Sequence, residues 1–142
     1  MRVCDAQTPG GLLEDLRLEL HELIDADPKE RETTVLIHPL VLGDFYDFNE
    51  FLADCERTVA ELDLEGVIQI ASFHPQYQFA GTAPEDMGNF TNRSPYPMLH
   101  LLREASVSKA ILTLAEPQEI YRANIRTLQA LGLDGWARLW AD

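Results

Sequence analysis

Two strands of this sequence close on the same dipeptide, His38-Pro39 and His74-Pro75. Proline cannot donate to a ladder, so each pair stops its strand and leaves an imidazole at the stop. Imidazole is the side chain whose charge changes near neutral pH, so His74 is the candidate acid–base group. Arg93 is the second marker. It is the only basic residue between Arg57 and Arg103, and it precedes Ser94-Pro95, which reads as an N-cap and first helical position. Backbone N–H groups at a helix start attract anions, and a guanidinium adds a bidentate donor, so a carboxylate or phosphate ligand is expected. His100 and Arg103, three apart on the expected helix, would share a face, with Glu104 placed to orient the imidazole. The expected site takes His74 and His100 as catalytic groups. Arg93, Gln78, Asp86, Asn89, Asn92 and Tyr96 hold the ligand.

These residues need a frame. Val3 to Asp5 is a short strand candidate. Thr8-Pro9 opens a helix whose Leu12, Leu13, Leu16, Leu20, Leu23 and Ile24 recur at helical spacing. Thr33 to His38 is a buried strand. Asp44 caps a second helix with Phe48, Phe51, Leu52, Cys55, Val59 and Leu62 inward. Gly66 ends it, and Val67 to Phe73 forms the third strand. The stretch from His74 to Asn92 shows no period and is long for a structureless connection, which marks it as functional. A helix from Ser94 to about Ser106 follows, then one from about Pro117 to Leu131, then a short terminal helix carrying Trp136 and Trp140.

This order predicts a single α/β domain over residues 1–142. It has a small, mainly parallel three-stranded sheet (β-α-β-α-β), a long ordered loop and C-terminal helices. A fourth strand near Val107–Leu114 is left open, and a ferredoxin-like α+β sandwich is the competing topology. In a parallel sheet both histidines lie beyond the carboxyl ends of the strands, where ligands gather.

Composition narrows the partners. The net charge is −13, with 17 acidic and 5 basic side chains in residues 1–66 against 7 and 6 in the rest. Such a chain repels phosphate backbones, so nucleic acid is not an expected partner. No apolar run approaches the roughly 18 residues of a membrane helix, and the N-terminus lacks an apolar secretory core. A cytoplasmic protein with two free thiols, Cys4 and Cys55, is expected. No CxxC, HExxH, GxSxG, GxGxxG or P-loop pattern occurs, so no cofactor is named. Two alternatives accompany the anion site. One is a divalent-metal site using His38, His74 and His100. The other is a non-catalytic module that docks a basic partner on the acidic helices.

From about Thr33 to Trp136 the sequence resembles a bacterial family catalogued as domain of unknown function 1415. The resemblance rests on Gly66-Val67-Ile68-Gln69-Ile70-Ala71-Ser72-Phe73-His74-Pro75 and on Tyr77-Gln78-Phe79-Ala80-Gly81-Thr82. It continues through Asn89-Phe90-Thr91-Asn92-Arg93-Ser94-Pro95-Tyr96-Pro97 and Leu99-His100-Leu101-Leu102-Arg103-Glu104-Ala105-Ser106. The family implies no reaction or substrate. Its pattern includes a cysteine-proline-phenylalanine segment ahead of the first strand, and this sequence begins at that strand, so a site completed by that cysteine would be partial here.

Overall fold

A computed structural model of the chain describes residues 1–114 and 116–140. The elements are β1 (Arg2–Val3), α1 (Pro9–Asp25), β2 (Thr33–Ile37), α2 (Phe45–Glu61), β3 (Ile68–Phe73), a 3-10 turn (Met87–Asn92), β4 (Met98–Arg103), α3 (Glu104–Thr113) and α4 (Pro117–Leu139). The sheet order is β1-β2-β4-β3. β1 runs parallel to β2, and β4 lies antiparallel to both β2 and β3. The first three strands therefore share one direction, and their carboxyl ends share one edge.

The α/β class stands, but the sheet is mixed and has four strands. The added strand occupies Met98–Arg103, where a helix was expected, while Val107–Thr113 lies within α3. The reason is physical. β4 is central and turns apolar side chains to both faces of the sheet, so MLHLLR shows a nearly continuous apolar run that helical spacing fits equally well. Its register sets Leu99 opposite Leu36 and Ser72, and Leu101 opposite Thr34 and Ile70. This arrangement also differs from the ferredoxin-like one. The two expected C-terminal helices form one element bent at Gly132, whose φ of 69° is non-helical.

Local chemistry explains α1 and α2. Thr8 accepts a hydrogen bond from the Gly11 N–H at 3.1 Å, and Asp44 accepts one from Asp47 at 3.0 Å, each satisfying an orphan donor of the first turn. Leu12, Leu16, Leu20 and Leu23 of α1 meet Phe48, Phe51, Cys55 and Val59 of α2 over Leu36, Ile68, Leu99 and Leu101, forming the core. Both helices thus cover one face of the sheet. Cys4 and Cys55 are free and buried, and burial pushes their thiols up to about 11 and about 12, as suits inert packing groups. No helix among the described residues is long and apolar enough to cross a membrane.

Arg103 closes the far end of this layer. One guanidinium nitrogen, Nη2, donates to the carbonyls of Leu23 (2.6 Å), Ala26 (3.3 Å) and Arg31 (2.9 Å). It therefore caps the carbonyl end of α1 and the turn into β2. In a strand, residues three apart point to opposite faces, so Arg103 does not share a face with His100 as a helix would have required.

Candidate functional site

The carboxyl edge of β2 and β3 is built around the turn from His38 to Asp44. His38 Nδ1 lies 3.1 Å from the Val41 carbonyl, and His74 Nε2 lies 3.0 Å from the Leu42 carbonyl. Both nitrogens face acceptors, so both carry the proton. His74 Nδ1 then accepts from the Gln76 N–H at 3.0 Å. The His74 ring is a neutral tautomer with both nitrogens engaged, packed against Phe45 and Phe48. It is fully buried. The acid–base role expected for His74 lacks an open ring nitrogen; the residue instead holds the Leu42 turn, where φ is +61°, against the start of the long loop.

His38 is also buried, stacks on Phe48, and its Nε2 has no hydrogen-bond partner. His100 lies on the opposite face of the sheet, beside Phe73. The three imidazoles therefore do not converge, and no group of three metal-ligating side chains gathers among the described residues. The His38, His74 and His100 metal site is corrected on this geometry.

Burial lowers the pKa of all three imidazoles below the ordinary 6.5. The unfolded chain then takes up protons before the folded one does. Stability should be level above pH 6.5 and fall as pH drops below it. Thermal midpoints measured across this window check the sign, and a midpoint that rises on acidification would refute it. Ring resonances of His38, His74 and His100 in the folded protein should titrate below that value.

The loop after His74 is ordered by its own polar side chains. Asn89 is fully buried. Its Oδ1 accepts from the Phe79 N–H (2.9 Å) and the Thr82 hydroxyl (3.0 Å), while Nδ2 donates to the Ala83 carbonyl (2.8 Å). Asp86 Oδ2 accepts from the Ala83 N–H at 3.2 Å, and Asn92 Nδ2 donates to the Ser72 carbonyl at 3.0 Å. These three residues brace the loop, where a ligand-holding role was expected. Tyr96 is exposed, and its carbonyl accepts from the Ser94 hydroxyl.

Arg93 does two things. Nε donates to the Tyr77 carbonyl at 3.0 Å and Nη2 to the Pro84 carbonyl at 2.7 Å, and the guanidinium carbon sits 4.1 Å from the Phe90 ring centroid. Burial pushes its pKa down, and Glu85 opposes that shift. Nη1 is the nitrogen these bonds leave over. The same residue lines a hollow of about 390 Å³ with Asp44, Phe45, Tyr46, Pro75, Gln76, Gln78 and Pro84. Of the expected ligand set, Arg93 and Gln78 meet in this hollow. The helix start beside the guanidinium is that of α2, where the first-turn N–H groups of Phe45 and Tyr46 have no intrahelical acceptor. Asp44, Phe45, Tyr46 and Gln76 were absent from the expected set. The signal for them was the cap at Asp44, six residues beyond His38 and therefore at the same sheet edge.

A family model described as protein of unknown function (DUF1415) matches residues 1–138. No curated protein and no solved structure matches the chain.

Proposed function

We propose, from the premise that this chain belongs to the DUF1415 family of proteins of unknown function, that it binds a small anionic molecule in the hollow between α2 and the long loop. One observation carries the reading: the amino end of a long helix and a half-buried guanidinium line the same opening. The helix end carries a partial positive charge, and Arg93 adds a full one. Gln76 and Gln78 supply amides for oxygen atoms. The opening is of the size usual for small-molecule sites, roughly 300–1,000 Å³.

Asp44 shapes the choice of ligand. Its Oδ1 is used as the cap, and Oδ2 offers an acceptor at the rim. A carboxylate or phosphate monoester that also carries a hydroxyl or amine suits this pairing better than a bare polyanion, which Asp44 repels. None of the imidazoles lines the hollow, so the reading is one of binding, without an assigned reaction.

The test uses inorganic phosphate and acetate, each titrated into the protein while amide resonances are followed. Saturable shifts should appear at Phe45, Tyr46 and Gln78. Arg93→Ala should weaken binding about tenfold or more, equivalent to about 1.4 kcal/mol, and Arg93→Lys should retain part of it. Because Arg93 also braces the loop, Arg93→Ala should cost about 1–2 kcal/mol of stability; a pure ligand contact would have left the melting temperature unchanged. Absence of any saturable shift in the wild-type protein sinks the proposal, whatever the variants do.

A further inference from the structure

Among the described residues, helices cover one face of the sheet and leave the other open. Under α1 and α2, Leu36, Leu99 and Leu101 are fully buried. On the other face Val35, Ile37, Phe73, Met98, His100 and Leu102 are all half-buried. None of the side chains that β2, β3 and β4 turn to this face is Asp, Glu, Lys or Arg. A sheet that leaves one face to water normally makes that face polar. This one is largely apolar.

The chain also carries an apolar helix with nothing to cover. Val107, Ala110 and Ile111 recur at the spacing of one helical stripe, and Leu114 follows as the extended residue that ends the helix. Yet α3 buries no residue; Ile111 is 50% exposed and Leu112 86% exposed. α4 does not fill the gap, because it packs chiefly on the 3-10 turn, with Trp136 edge-on to Phe90 at 5.0 Å.

α3 cannot turn back over its own sheet. Arg103 ends β4 and Glu104 begins α3 with no residue between them. A helix that returns along its strand needs a connection of roughly two to six residues. The junction is also pinned, by Arg103 on the α1 carbonyls and by the Glu104 N–H on the Val67 carbonyl at 2.8 Å.

We propose that the uncovered face is an interface between two copies of this chain, each laying Val107, Ala110 and Ile111 of its α3 on the other's Val35–Met98–Leu102 surface. Charge selects the occupant. Residues 104–140 hold four acidic and four basic side chains, whereas residues 1–66 hold 17 and 5. Two copies can meet through α3 and the uncharged sheet face while the acidic α1 and α2, on the opposite face, stay apart. A basic partner would be drawn to the acidic half instead. Size selects the geometry. Three strands of about six residues present roughly 14 by 20 Å, well short of the roughly 800 Å² that each partner of a stable pair buries. Only exchange in both directions, a face and a helix from each copy, approaches that size, and it closes with two-fold symmetry.

Sedimentation velocity or light scattering on the full chain should give the mass of a dimer at micromolar concentration. Ile111→Glu on the helix and Val35→Lys on the face should each raise the dissociation constant on the order of a hundredfold, because each places a lone charge in the contact. Circular dichroism should show both variants folded. Mixing them should restore part of the association, since the mixed pair keeps one intact helix-on-face contact and in the other sets the introduced carboxylate against the introduced ammonium. A monomeric wild type overturns the proposal, and so does a dimer indifferent to both changes. Sensitivity to Ile111→Glu alone would mean helix against helix and overturns it too. The wild-type mass is decisive by itself, so a face variant that fails to fold does not shelter the idea.

Discussion

His74→Ala should destabilise the folded protein by about 4 kcal/mol. Two partly buried hydrogen bonds are lost at once, one to the Leu42 carbonyl and one from the Gln76 N–H. Each orphaned group costs about 1–3 kcal/mol. The space vacated beside Phe45 and Phe48 adds a cavity term of similar size. His74→Phe separates the two contributions, because it refills the volume and restores neither bond. That variant should still lose more than half of the effect. Equilibrium denaturation measures both. If His74 were a catalytic imidazole open to a ligand, His74→Ala would leave stability within about 0.5 kcal/mol of wild type, and the bracing role assigned to it here would fail.

Arg103→Ala should cost about 3 kcal/mol. The guanidinium meets three carbonyls that nothing else in the turn between α1 and β2 is seen to satisfy, and its charge opposes the negative end of the α1 dipole. Arg103→Lys should recover part of the loss, since an ammonium supplies charge and donors without the planar fork. Hydrogen exchange gives the sharper reading. Amides in the last turn of α1 and in the turn before Thr33 should exchange faster in Arg103→Ala, while those of α2 should change only with global stability. Unchanged exchange at the end of α1 would show that the cap is dispensable.

These two residues illustrate different limits of legibility. The place of His74 was readable, because a His-Pro pair ends a strand by simple chemistry. Its role was not, because the acceptor that claims its Nε2 lies 32 residues away, on Leu42. Arg103 was misplaced outright. Read as helical, it shared a face with His100; as part of a central strand it turns to α1, while His100 turns to the uncovered face. Asn89, Asp86 and Asn92 are polar residues in a loop, which reads as a binding set. They are drawn inward by backbone groups that the loop itself would otherwise leave unpaired.

What the amino-acid order determined by itself was local. It set α1 and α2 with their Thr8 and Asp44 caps, the two strands that close on histidine, and the long loop, because period, capping and proline act within a few residues. It also determined the acidic first half and the neutral second. Tertiary structure alone decided that Met98–Arg103 is a strand and that it enters between β2 and β3. It also decided that Arg93 meets the start of α2 rather than a helix of its own. A run that is apolar on both faces of its strand has no preferred period, and a side chain's hydrogen-bond partners are set by whichever distant backbone the fold brings within about 3 Å.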